Sequence, residues 1–405
     1  MVTFHLVNFG CRASQADGAA LKQQLLQAGF SESPSPQQSD LAVINTCTVT
    51  ATADAEARQF IRRLHRMNPQ CRIFVTGCYA QRSADEIARL QGVRWVVGNS
   101  HKHTLAELVR RDFGLAGKSP LNEEARSAGQ APSAAADTGF GQVGSSRDQE
   151  ASGPPLPTSF AGILVGEVSD EFHFAPVFPD DRTRPTLKIQ DGCNARCSFC
   201  VIPSVRGRSR SLAPDKVVEQ VRILCNRGYM EVVLSGINLG SYGKDLGRSI
   251  NFLGLLERLL AETTIPRLRI SSIEPMDVSP RLIDLVAREP RMARHFHVPL
   301  QSGCDRILRL MNRRYWARQY AERMQAIHES IPDCGMGGDV MVGFPGETHQ
   351  DHAESARFIA SLPYTYVHVF PYSARPATPA AGFSGQVNGR VAQQRGQEIR
   401  SIVGA

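Results

Sequence analysis

Short apolar runs alternate with amphipathic stretches along the first part of the chain. "VTFHLVNFG" (2–10), "LAVIN" (41–45), "RIFVTG" (72–77) and "RWVVG" (94–98) predict buried strands. Helical spacing predicts helices around 15–28, 51–67 and 83–91, and another over 101–113. Such alternation implies a parallel sheet flanked by helices, an α/β unit over 1–115.

The pattern then fails. Residues 117–157 hold 24 Ala, Gly, Ser or Pro among 41, and their only larger apolar residues are Leu121, Phe140, Val143 and Leu156. A segment this poor in apolar surface cannot offset its ordering entropy, so 116–184 is read as a low-complexity linker or insertion. Beyond it the alternation resumes. Strands are expected at "TLKIQ" (186–190), "EVVLS" (231–235), "RLRISS" (267–272), "HFHVPL" (295–300), "GMGGDVMVG" (335–343) and "YTYVHVF" (364–370). Helical patterns such as 214–228 and 251–262 separate them. Six strand–helix units over 185–380 point to a partial (β/α)6 barrel with its active site at the carboxyl ends of the strands; a doubly wound sheet is the alternative. Residues 381–405 read as a short helical tail.

Composition places the chain among ordinary globular proteins, with 42% hydrophobic and 21% charged residues. The first 18 residues carry no basic segment followed by a long apolar run, and no apolar stretch is long enough to span a bilayer, so a cytoplasmic location is expected. Thiols stay reduced there, and the ten cysteines read as metal ligands or buried small apolar groups. Net charge is 46 − 39 = +7 and is uneven: "RQFIRRLHRMNPQCR" (58–72) has five arginines and no acid, and "RGRSR" (206–210) has three. Clustered arginine suits a phosphate-rich partner, or simply a solvated face.

The cysteines sort by position. Cys193, Cys197 and Cys200 follow the first barrel strand with spacing C-x3-C-x2-C. Three thiols on one loop fit an iron–sulfur cluster with one iron left open; a structural zinc would need a fourth ligand from elsewhere. Cys11, Cys47 and Cys78 each follow a strand of the first unit, and parallel strands open onto one edge, so these three can converge. Burial as small apolar groups is the alternative. Cys71 precedes a strand and belongs to the opposite edge, while Cys225, Cys304 and Cys334 read as structural.

Taken together, these residues resemble the radical S-adenosylmethionine (SAM) methylthiotransferases over 1–115 and 185–380. "NFGCRASQAD" (8–17), "NTCTVTATADAEARQFIRR" (45–63) and "VTGCYAQ" (75–81) resemble the branch acting on threonylcarbamoyladenosine in tRNA. "SGINLGSYG" (235–243), "SSIEP" (271–275), "GGDVMVGFPGET" (337–348) and "HVFPYSARPATPA" (368–380) agree. The resemblance implies a 4Fe–4S cluster on Cys193, Cys197 and Cys200 that cleaves S-adenosylmethionine to a radical. It implies an auxiliary 4Fe–4S cluster on Cys11, Cys47 and Cys78 that carries the donated sulfur. It further implies Phe199 packing on the adenine of S-adenosylmethionine and Gly236 beside its methionine amino group. Glu274 and Gln301 are expected to hydrogen-bond the nucleoside, and Arg206 and Arg210 to contact tRNA phosphates. A reductant protein and a sulfur donor are implied partners.

Ser14 departs from the family's usual asparagine, and only 25 residues follow Ala380, too few for the small β-barrel that commonly closes family members. Two other readings stay open: a methylthiotransferase for isopentenyladenosine or a ribosomal protein, and a non-catalytic zinc-bearing RNA-binding protein.

Overall fold

The structure, a computed structural model, describes residues 1–115, 161–173 and 184–404. The first unit is a six-stranded sheet, all parallel: β1 (Thr3–Asn8), β2 (Ser31–Glu32), β3 (Leu41–Thr46), β4 (Arg72–Gly77), β5 (Val93–Val97) and β6 (Gly162–Leu164), in the order β2-β1-β3-β4-β5-β6. Alternation along β3 shows why it is doubly wound. Ala42 and Ile44 pack with Ala57, Ile61 and Leu64 of the helix Ala51–Met67, while Leu41 and Val43 pack with Leu21 and Leu25 of the helix Arg12–Gln27. Thr50 caps the former helix, accepting a hydrogen bond from the Ala53 amide at 3.1 Å.

Three features differ from expectation. The helix expected over 83–91 is shortened to Ala84–Ala88, and an additional short helix, Cys78–Arg82, precedes it across Ser83. The edge strand β2 is new. So is β6, which lies inside the segment read as linker and extends the sheet by pairing Trp95 with Gly162; the compositionally biased 117–157 stretch itself lies outside the described residues.

The second unit has six parallel strands in sequence order: β7 (Thr186–Lys188), β10 (Val232–Ser235), β11 (Leu268–Ile270), β12 (His295–His297), β13 (Gly335–Val342) and β14 (Tyr366–Pro371). β7-β10-β11 and β12-β13-β14 join where the Ala293 amide donates to the Leu268 carbonyl at 2.8 Å. Sequential order identifies a partial barrel rather than a doubly wound sheet. A small antiparallel pair, β8 (Gln190–Asp191) with β9 (Arg210–Ser211), brackets the cysteine loop. Apolar residues such as Leu187, Leu234, Leu268, Phe296 and Val340 face the surrounding helices and form the main core. The tail is the helix Gly389–Gly404, packed on β14. Among the described residues no helix is long and apolar enough to cross a membrane.

Candidate active site

Two glycines gather the amino-terminal thiols. Gly10, after β1, has φ +104°, and a Cβ there would stand 2.4 Å from the Cys47 Cβ. Gly77, ending β4, has φ +100° and lies so close to β3 that a Cβ would meet the Thr46 carbonyl at 2.3 Å. Left-handed backbone and this close approach both require glycine. Cys11 therefore stands immediately before the helix Arg12–Gln27, Cys47 follows β3, and Cys78 opens the helix Cys78–Arg82, all at one sheet edge. Cys47 and Cys78 are buried, and burial followed by the nearness of Cys11 and Cys78 pushes the Cys47 thiol up to about 11. Cys71 lies at the far edge, 3.9 Å from the Ser39 hydroxyl.

Arg206 joins this trio to the barrel. Its Nε donates to Cys78 Sγ at 3.3 Å, Nη2 to Asp17 at 3.0 Å and Nη1 to Asp191 at 2.9 Å, and the residue is 1% exposed. The expectation that Arg206 and Arg210 meet tRNA phosphates is therefore corrected. Arg210 is also buried, donating to the Arg206 carbonyl at 2.6 Å and to Asp191 at 3.4 Å. Lys188 bridges Asp17 and Asp191, and Lys102 pairs with Asp17 at 3.0 Å. Burial alone would raise Asp17, but Lys102, Lys188 and Arg206 outweigh it and hold the carboxyl well below its ordinary value. Four cations face two carboxylates in this buried lattice, an excess that favours an anionic neighbour. Asn99 adds a second donor to Cys78 Sγ, at 3.5 Å.

The second trio sits on the loop after β8. Gln190 ties down the loop's start, donating to the carbonyls of Asp191 (2.9 Å) and Gly192 (2.8 Å) and accepting from the Asn238 amide (2.7 Å). The Ser198 hydroxyl anchors the middle on the Leu310 carbonyl at 2.7 Å. Arg313 donates to Cys197 Sγ at 3.4 Å while paired with Glu274. Burial, only partly offset by the Ile202 amide, pushes the Cys200 thiol up to about 12.

The remaining expected residues gather at the same mouth. Phe199 is half-buried, edge-on to Phe344 with ring centroids 6.4 Å apart. Gly236 follows β10, and the close approach it permits is to Gln190, whose Oε1 a Cβ would meet at 2.8 Å. Glu274 follows β11 and holds Arg313 rather than standing free. Gln301 leaves β12 with φ 70°, its amide donating to the Asp339 carbonyl at 2.8 Å. Ser14 donates to the Phe9 carbonyl at 2.9 Å, a local tie at the first cysteine turn.

Sequence reasoning missed Asp17, Asp191, Arg313 and a polar face inside the barrel. There His295 and His297 both reach the Tyr366 hydroxyl, at 2.9 and 3.1 Å, and His297 meets Asp339 at 3.1 Å. The signal was present: polar residues at every second position of "HFH", "GGD" and "YVHV" mark a lumen-facing stripe.

Six thiols in two trios, each trio with an arginine donating to one sulfur, form a donor set suited to iron–sulfur clusters. Among the described residues no three His, Cys, Asp or Glu side chains form a single-ion site.

Comparison with known proteins agrees with this geometry. Residues 3–98 match the uncharacterized protein family UPF0004 and residues 187–359 the radical SAM superfamily. The chain is 36% identical to the threonylcarbamoyladenosine tRNA methylthiotransferase MtaB of Bacillus subtilis, over 97% of this chain and 78% of the relative. It is 35% identical to that of Aquifex aeolicus (97% and 86%). It is 32% identical to the tRNA-2-methylthio-N(6)-dimethylallyladenosine synthase of Pelotomaculum thermopropionicum (98% and 81%). The radical S-adenosylmethionine methyltransferase TsrM of Kitasatospora setae shares the fold, with TM-score 0.60 and 16% identity over 94% of this chain and 77% of that one. A UPF0004 unit joined to a radical SAM barrel, matched nearly end to end by these relatives, shows that the chain belongs to the radical SAM methylthiotransferase family.

Proposed function

We propose that this chain adds a methylthio group to carbon 2 of N6-threonylcarbamoyladenosine in tRNA and works in the cytoplasm with a reductant and a sulfur donor. The observation that carries the reading is the direct tie between two three-cysteine sites: Arg206 touches Cys78 of one and, through Asp191, the loop that holds Cys193 of the other. Identity of 35–36% to two relatives bearing that activity in their names selects the substrate.

When bound, two 4Fe–4S clusters and S-adenosylmethionine supply the radical and the sulfur. The protein's part is to hold and orient. Cys11, Cys47 and Cys78 would ligate the auxiliary cluster, and Cys193, Cys197 and Cys200 the one that meets S-adenosylmethionine. Arg206 and Asn99 donate to one sulfur of the first trio, and Arg313 to one of the second, fixing the orientation of those thiolates. Gln190, seated against Gly236, keeps the loop carbonyls satisfied and the loop in place. The exposed part of the Phe199 ring offers an apolar surface for adenine, and Glu274 and Gln301 at the same mouth would border the nucleoside.

Mass spectrometry of tRNA nucleosides from a strain lacking the gene tests the reading. Loss of the methylthio form, with threonylcarbamoyladenosine accumulating, is the expected result. An undiminished methylthio form contradicts it, and loss of the isopentenyl counterpart would transfer the activity to that substrate.

A further inference from the structure

Arg375 lies four residues beyond β14, at the carboxyl end of the barrel, and is 5% exposed. Its Nη2 donates to Asp54 Oδ2 at 2.8 Å, crossing to the helix that follows Cys47. Its Nε and Nη1 are buried and have no partner among the described residues. Asp54 brings one negative charge against two cations, since its Oδ2 also accepts from Arg82 at 2.7 Å, and its Oδ1 is buried without a partner among the described residues. Two guanidinium groups thus share one buried carboxylate. A buried N–H left unpaired carries its full desolvation cost, and an unbalanced buried cation costs more. Such a group is completed by an ordered water, an ion or a ligand.

The surroundings say what that is. Tyr372, three residues before Arg375, packs on Phe344 at 5.4 Å, and Phe344 packs on Phe199 of the cysteine loop. The Tyr372 hydroxyl is likewise buried without a partner among the described residues. On the other side, Arg82 donates to Thr48, next to Cys47. Arg375 therefore stands in the seam between the two cysteine sites, the place that the proposed function gives to the target nucleotide. Its unused Nε and Nη1 donors lie on either side of the Nη2 that Asp54 holds, and each can give a charge-assisted hydrogen bond to an oxyanion.

We propose that Arg375 binds an oxyanion of the substrate nucleotide. Two sources share this chemistry: the carboxylate of the threonylcarbamoyl group and a phosphodiester flanking the base. The inference rests on the proposed function, since that reading supplies the tRNA substrate.

Equilibrium binding of the holoenzyme to two anticodon stem-loops separates the sources, one carrying threonylcarbamoyladenosine and one an unmodified adenosine at that position. Arg375→Gln should weaken binding by about ten- to a hundredfold, the range expected for losing a charge-assisted hydrogen-bonded pair. A loss confined to the modified loop assigns the carboxylate; an equal loss on both assigns the phosphodiester. Arg375→Lys keeps a cation against Asp54 and serves if the glutamine variant does not fold. It should weaken binding less, because an ammonium keeps the positive charge while losing the two guanidinium donors. Unchanged affinity of a folded variant for both loops overturns the inference. Failure of the wild-type holoenzyme to bind either loop would instead overturn the proposed function.

Discussion

Gly236 has no room for a methyl group. A Cβ would stand 2.8 Å from Gln190 Oε1 and 2.9 Å from Leu239, and Gln190 is the residue that holds the start of the cysteine loop. Gly236→Ala should therefore displace Gln190 and lower stability by about 1–3 kcal/mol, read as a fall in the urea midpoint. An unchanged midpoint would show that the loop is held elsewhere. Arg206 carries more weight. Arg206→Gln removes charge-assisted hydrogen bonds to Asp17 and Asp191 and a donor to Cys78 while Lys102, Lys188 and Arg210 still face the two carboxylates, and should cost about 1.5–3 kcal/mol by the same measurement. Arg206→Lys should cost less. The six cysteines were legible in the sequence because spacing and strand ends locate them. The role of Arg206 was not, because its partner Asp17 lies 189 positions away and only folding brings the two together. Three arginines in five residues read as a basic surface when nothing local reveals the carboxylates that hold two of them, Arg206 and Arg210, inside; Arg208 is exposed.

Along β12, β13 and β14 the lumen face is a hydrogen-bonded ladder of His295, Tyr366, His297 and Asp339. Burial first, then the charges of Arg269, Arg12 and His297, push His295 down to about 4. In the unfolded chain a histidine titrates near ~6.5. The folded state thus favours the neutral ring, so its contribution is complete above pH ~6.5 and is lost as pH falls from there through about 4. Urea unfolding at pH 7 and pH 4.5 should show a loss in which His295 accounts for on the order of 1–2 kcal/mol, after discounting for its partial exposure. His295→Gln should flatten that difference, and an equal loss in the variant would assign the acid sensitivity to other groups. Strand and helix positions were legible because the core faces alternate strongly. β6 was not, since Gly162, Ile163 and Leu164 form a run too short to stand out beside a biased segment, and only the free edge of β5 makes them a strand. The helix expected over 83–91 is present but shortened to Ala84–Ala88, starting after Ser83, whose ψ of 55° leaves helical geometry.

The two units form one machine through their seam. The helix Arg12–Gln27 packs on β7, the helix Cys78–Arg82 packs on Ile202–Arg206, and the Ala51 amide donates to Ser373 at 2.8 Å. On the outer surface, Arg62, Arg63 and Arg66 of the basic helix are exposed and, among the described residues, pair with no carboxylate. Here the expectation of a phosphate-facing surface still has side chains to carry it. Replacing all three by glutamine should weaken tRNA binding and flatten its salt dependence. The slope of log K against log salt should fall by about 0.9 for each phosphate that is no longer neutralised. An unchanged slope would remove this face from the tRNA path. At this scale the architecture was legible from strand–helix alternation, whereas the seam was not, because its ion pairs join residues from both units. The central claim is that each cysteine trio holds its own cluster. Anaerobic reconstitution followed by iron and sulfide assay tests it most directly. Two clusters should give about eight irons per chain, falling to about four when either trio is replaced by alanine. No bound iron, or a trio whose replacement leaves the iron content unchanged, would contradict it.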